Sequence, residues 1–90
     1  MDYDNLDARF ENAVQIANTM TQDALPQDVQ LRLYAYYKQA TFGTIDTRVS
    51  PVYDLRNAFK TNAWMQISHL SVAEAKELYI IAILDLHNKK

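Results

Sequence analysis

Tyr34 and Lys38 stand four residues apart in "LRLYAYYKQAT", residues 31–41, a stretch that holds three tyrosines and one lysine. Side chains four apart lie one above the other on a helix, so this pair presents an aromatic face and an ammonium group together. A flat ring can stack on a base, while a lysine beside it holds a phosphate as a point charge. The chemistry on offer is recognition of a phosphorylated aromatic ligand. The plainer alternative is an amphipathic helix with a tyrosine-rich core, in which Lys38 lays its stem along the core boundary.

A second fragment of the same kind follows. Lys60 and Trp64 are four apart and share a face, with Phe59, Ala63 and Ile67 expected on the core side. Farther on, Tyr79 falls on the stripe Val72, Ala75, Tyr79, Ala82, Ile83, Leu86. Three segments each bring an aromatic, and two bring a lysine one turn away, which is more than a core requires.

The remaining chemistry is sparse. The 90 residues include nine Lys and Arg against eleven Asp and Glu, a net charge of −2. A general attraction to nucleic acid or anionic lipid is not expected, so any anion must be held by a local cluster. There is no cysteine, which excludes disulfides and thiolate metal sites. His69 and His87, the two histidines, have no carboxylate or hydroxyl partner at a spacing that suggests a triad or a metal site. His69 suits a left-handed cap and His87 a helix C-terminus. The reading is of a protein that is not an enzyme, with no catalytic residue and no metal. "MDYDNLDARF" opens acidic, with none of the basic-then-apolar pattern of a secretory signal, and no segment approaches the ~20 apolar residues of a membrane span. A cytoplasmic location without membrane insertion is expected.

The elements that must position these residues are helical. One glycine and two prolines leave few breakers for strands. Leu6, Phe10, Ala13, Val14, Ala17 and Met20 recur at spacings of three and four, one face of a first helix. "TQDALPQDVQ" breaks it, and Pro26 suits the first turn of a second helix that runs to about Thr41. Gly43, the sole glycine, falls where a left-handed C-terminal cap is wanted. "TIDTRVSPVYD" carries no helical stripe and is predicted to be an ordered loop. A third helix begins near Asp54–Asn57 and ends near "SHL". Ser71 with Glu74 three residues on is a capping box for the fourth.

On a wheel of the second helix, Val29, Leu33, Tyr36, Tyr37 and Ala40 form a core arc. Gln30, Leu31, Tyr34 and Lys38 fill the arc beside it, suited to a groove wall that is apolar at one end and charged at the other. Arg32, Ala35 and Gln39 complete the circle. The first and last connections are short, which favours antiparallel neighbours. The middle one, about a dozen residues long, reaches ~40 Å when extended, more than the ~22 Å length of a fifteen-residue helix. The second and third helices can therefore run in the same direction. The expected fold is all-α, residues 1–90 as one domain: a four-helix bundle, up-down-down-up, with a long crossover between helices 2 and 3.

"LYAYYKQATFGTIDT" followed by "KTNAWMQISHLSVAEAKELYI" resembles the acyl-CoA-binding protein family, whose pattern is Y-x-x-Y-K-Q-A-T-x-G on helix 2, K-W-x-A-W on helix 3 and A-Y-I on helix 4. The register holds without a gap from Leu31 to the C-terminus, and more loosely through "ARFENAV". The resemblance implies the same four-helix bundle and reversible, non-catalytic binding of long-chain fatty acyl-CoA, as an intracellular carrier or pool former. It implies no cofactor, acyl-CoA being a reversible ligand. By that resemblance Tyr34 and Lys38 match contacts to the nucleotide and its 3′-phosphate, Lys60 reaches the same phosphate, and Tyr37 and Tyr79 lie at the nucleotide site. Gln30 and Leu31 fall where the acyl chain passes. Departures from the pattern are Thr61 for the first tryptophan of helix 3, Ser50-Pro51 for proline-glycine in the crossover, Asn18 for a lysine on helix 1, and His69 for a glycine before helix 4. The competing expectation is a small helical interaction module, because Ile80, Ile81 and Leu84 lie outside the main stripe of helix 4. A monomer is expected; that surface is where a weak dimer would form.

Overall fold

The computed structural model describes residues 2–43 and 55–89, with side chains described over 5–43 and 58–89. Its elements are α1 (Asp2–Asn18), a single 3-10 turn (Gln22–Ala24), α2 (Gln27–Phe42), α3 (Leu55–Gln66) and α4 (Val72–Asn88). The expected crossover, residues 44–54, lies outside the described residues.

Directions follow from side-chain pairs. Lys76 reaches Asp7, Glu77 binds Arg9, and the Tyr79 ring lies 5.2 Å from that of Phe10, so numbers rise together and α1 runs parallel to α4. Tyr37 meets Tyr79 while Gln39 reaches back to Leu70, so α2 and α4 are antiparallel. Lys60 lies over Tyr34 and Trp64 bonds Gln39, so α3 runs with α2. The arrangement is up-down-down-up, as expected.

The core is built from three helices. Phe10, Ala13 and Ala17 of α1, Leu33 and Ala40 of α2, and Ala75, Tyr79, Ile80 and Ile83 of α4 form one buried cluster. Ile83 is fully enclosed, and such burial contributes roughly 1.5–3 kcal/mol. Its flanks are covered by Leu6, Val14, Val29, Tyr36 and Leu86, among others. No described residue of α3 belongs to that cluster.

Four expectations are corrected by this order of helices. Ala35 and Gln39, placed off the core arc, are 2% and 1% exposed, because α2 packs against α4 on one side and α3 on the other and therefore buries two faces. Ile80, expected on the surface, is buried for the same reason: α4 lies between α1 and α2. Phe59 and Val72, expected inward, are exposed, Phe59 to 57%. Tyr37, expected in the core arc, is on its margin and counts as exposed.

What fastens α3 is polar. The Trp64 indole N–H donates to Gln39 Oε1 at 2.9 Å and shares a longer bond with the Gly43 carbonyl, 3.2 Å. The Gln39 amide in turn donates to the carbonyls of Leu70, 2.6 Å, and Ser68, 3.3 Å, in the turn between α3 and α4. One buried side chain thus ties α2 to α3 and to the chain that leads into α4. Buried polar groups must be paired in this way, and here they are.

The helix ends obey local rules. Ser71 and Glu74 form both bonds of a capping box at the start of α4. Pro26 occupies the cap position, just before the first helical residue of α2. Gly43 ends α2 at φ 76°, ψ −160°: the positive φ requires glycine, but the ψ is that of an extended glycine-only region and not the left-handed cap that was expected. His69 does not take a left-handed conformation, since no described residue other than glycine has positive φ. His87 sits in the last turn of α4, where a partial positive charge is favoured.

Replacing Gln39 by Ala leaves the Trp64 N–H with its longer bond to Gly43 and takes a donor away from two turn carbonyls. The expected cost is ~1–3 kcal/mol of folding stability, read by urea unfolding. Trp64 is the sole tryptophan, so its emission should shift to the red in the folded variant as α3 loosens. Unchanged stability and emission would show that the polar clasp does not hold α3.

Acid stability carries a second expectation. The capping bonds from Ser71 hold the Glu74 carboxyl below its usual range, and Arg9 does the same for Glu77. A depressed carboxylate stabilises the fold fully above its unfolded value, about 4.3, and that contribution disappears as pH falls through the lower folded value. Unfolding free energy should therefore drop below about pH 4.3, and Glu77→Gln should flatten part of that drop in a pH-resolved denaturant series.

Candidate functional site

The antiparallel helices and the α3 strut leave an open cavity of about 700 Å³ between α1, α2 and α3, with α4 behind it. Gln30, Leu31, Tyr34 and Tyr37 of α2, Lys60 of α3 and Tyr79 of α4 line it. Six of the seven residues singled out from the sequence thus meet at one site, although they come from three helices. The seventh, Lys38, reaches the same place from the margin. Its Nζ stands 5.6 Å from the centre of the Tyr34 ring, while the Nζ of Lys60 stands 5.3 Å from it.

Two cations held over one ring are attracted by its π-face yet repel each other. An anion placed between them relieves the repulsion. This convergence exists because α3 runs parallel to α2 and is locked one turn farther along by Trp64. Lys38 also lies 4.7 Å over the exposed ring of Phe42, itself packed against Trp64. The aromatic and charged rows of α2 are therefore continuous with the clasp that holds α3.

Tyr37 and Tyr79 give the cavity an aromatic floor, and buried Phe10 backs them: the three rings form a triangle with centroids 5.2–6.2 Å apart, within the range of favourable ring packing. Burial, and second the neighbouring Tyr37, push the Tyr79 hydroxyl up to about 12. It is a neutral donor at physiological pH. Among the described residues it has no hydrogen-bond partner, and it lines the cavity, so it is available to a guest there.

Gln30 has a different role from a simple wall. Its amide donates to the carbonyl of Leu25 at 2.7 Å and weakly to that of Asp23 at 3.5 Å, fastening the α1–α2 connection beside the cavity. Leu31, half-buried, is the apolar end of the α2 wall.

Sequence reasoning missed part of the lining. Val14 and Leu33 were read as core, and they are the places where core and cavity wall coincide. Asn18 was noted as a departure on helix 1 and indeed faces the cavity, so an amide stands there in place of a cation. Gln22 and Asp23 of the connection, which carries no periodic signal to reveal them, supply a polar rim together with Gln27 at the start of α2. Phe59 lines the cavity as well, the consequence of its unexpected exposure.

The profile of the family described as "Acyl CoA binding protein" matches residues 7–83. Acyl-CoA-binding protein homolog 3 of Caenorhabditis elegans is 30% identical over 88 residues, covering 94% of this chain and 76% of that protein. Acyl-CoA-binding domain-containing protein 2 of Oryza sativa subsp. japonica is 32% identical over 81 residues, covering 90% and 88%. The crystal structure of Oryza sativa Acyl-CoA-Binding Protein 2 superposes with a TM-score of 0.87 at 30% identity, covering 98% of this chain and 95% of that one. With helices, cavity and sequence all in agreement, the chain belongs to the acyl-CoA-binding protein family.

Proposed function

We propose that this protein binds long-chain fatty acyl-CoA thioesters reversibly, performs no chemistry on them, and serves as a cytoplasmic carrier or pool former for them. The observation that carries the reading is the convergence of Lys38 and Lys60, from different helices, on Tyr34 at the edge of a cavity whose α2 wall becomes apolar at Leu31. A coenzyme A thioester has that polarity: a nucleotide with a 3′-phosphate at one end, an alkyl chain at the other.

In this reading the adenine stacks on Tyr34, and the two ammonium groups take the 3′-phosphate. Tyr37 and Tyr79 complete the nucleotide side, Tyr79 offering its hydroxyl. The acyl chain passes Leu31 and the stem of Gln30. Because the chain is net negative and so is the ligand, the headgroup is held by few contacts against a mildly repulsive background. The alkyl chain meets no such opposition, and each buried CH₂ can add ~0.8 kcal/mol.

Binding without catalysis is supported by the placement of the histidines. Both are exposed, and neither lines the cavity. The interaction-module alternative loses one of its three residues, because Ile80 is buried; of the three, Ile81 and Leu84 stay exposed, with Val72 exposed at the start of α4. A monomer is the reading that fits so small a remaining patch.

Calorimetry with acyl-CoAs of rising length, beside free coenzyme A and free fatty acid, tests the proposal. Affinity should climb by up to about fourfold per methylene and then level off, while free fatty acid binds poorly at any length. A flat series would leave the alkyl chain in water and make the protein a nucleotide binder.

Lys38→Ala and Lys60→Ala should each weaken binding by ~1.5–3 kcal/mol, the usual range for a charge-assisted contact. Both losses should shrink for dephospho-coenzyme A thioesters, which lack the 3′-phosphate. Equal losses with and without that phosphate would remove these lysines from the role.

A further inference from the structure

A second, smaller cavity of about 350 Å³ lies between α2 and α3. Two residues line both cavities: Leu31 from α2 and Phe59 from α3. Both therefore stand at the seam between one space and the other, a partition of one side chain from each helix. Beyond the partition the wall is mixed: Ala35, Ala63 and Ile67 offer an apolar strip, and Asp28, Arg32, Asn62 and Gln66 are polar.

The partition is uneven. Leu31 is half-buried on a helix packed from both sides, so it has little room to move. Phe59 is 57% exposed and belongs to the helix that contributes no described residue to the core cluster. It also directly precedes Lys60, whose ammonium group lies over Tyr34. In the acyl-CoA reading the alkyl chain passes Leu31, the residue that shares both linings with Phe59. A large ring in that position has no core reason to be there.

We infer that Phe59 is the residue that sets acyl-chain length, by closing the seam at Leu31 so that the chain is confined to the larger cavity. This rests on the acyl-CoA reading above and adds the residue that limits it. Chains short enough to end before the seam are accommodated without disturbing the ring. Longer chains must swing Phe59 aside to reach the second cavity, or leave their last methylenes in water. Each methylene left in water forfeits up to about fourfold in affinity, which produces the levelling-off.

The test is the chain-length series, C8 to C22 acyl-CoA by calorimetry, on the full chain and on Phe59→Ala and Phe59→Trp. Phe59 is exposed, so neither change empties the core, and thermal melts verify folding. Removing the ring should join the two spaces and move the plateau to chains longer by two to four carbons, raising the C20-to-C12 affinity ratio about tenfold or more. Phe59→Trp should move the plateau the other way. In Phe59→Ala the Ile67 methyl resonances should shift with C20-CoA but not with C12-CoA, since Ile67 lines the second cavity alone. A length-dependent wild type whose plateau stays put in both variants would overturn the partition and leave acyl-CoA binding intact. A wild type with no length dependence would overturn the acyl-chain reading, and the partition with it.

Discussion

Everything at the cavity depends on one buried amide. Gln39 accepts from the Trp64 indole and donates to the turn that leads into α4, at 1% exposure and without an aliphatic substitute for what it does. An apolar contact would press α3 against α2 but leave it free to slide, because hydrophobic attraction has no direction. Hydrogen bonds have direction and a narrow range of length, so they set register. With Trp64 bonded at the level of Gln39, Lys60 is one turn back along α3, at the level of Tyr34. The cation reaches its place because a polar clasp four residues away determines where the helix stops.

The same helix has to be both fastened and open. α1, α2 and α4 share a core that ends in fully buried Ile83 and Ala75, and they form a stable three-helix platform. α3 adds no described residue to that core, and the space that would have been filled is the cavity. A bundle that buried α3 on all sides would be more stable and would have nowhere to receive a ligand. The aromatic triangle of Phe10, Tyr37 and Tyr79 is the junction between the two demands, core on one side and cavity floor on the other. Tyrosines serve there where leucines would not, because a ring supplies packing area while its hydroxyl tolerates a wet boundary.

Charge is arranged locally against the overall balance. The chain carries −2 in total, and the rim includes Asp23, yet two ammonium groups are gathered at one ring. At close range half-buried Lys38 and exposed Lys60 together outweigh a distant, screened background. Such an arrangement favours an anion of defined size over a general negative surface. The surface pairs Arg9–Glu77 and Asp7–Lys76 have another use, since they hold α1 parallel to α4 and contribute little to stability by themselves.

Much of this was legible in the residues. The spacing of Leu6 to Met20, the Ser71–Glu74 box and the scarcity of glycine led to four helices, because helix periodicity and capping are local properties that a sequence carries directly. The length of the middle connection permitted parallel second and third helices, and the i, i+4 spacing of Tyr34 with Lys38 and of Lys60 with Trp64 marked the site. What the wheel could not tell was how many faces each helix buries. A single stripe is the signature of a helix with one neighbour; α2 and α4 each have two, so Ala35, Gln39 and Ile80 went inward against expectation, while Phe59 stayed out. That choice belongs to tertiary structure alone, since burial is a property of the neighbour and not of the residue. The sequence by itself determined which side chains could recognise a phosphate and a ring; only the packing of α3 on α2 decided that two lysines 22 positions apart would meet over the same tyrosine.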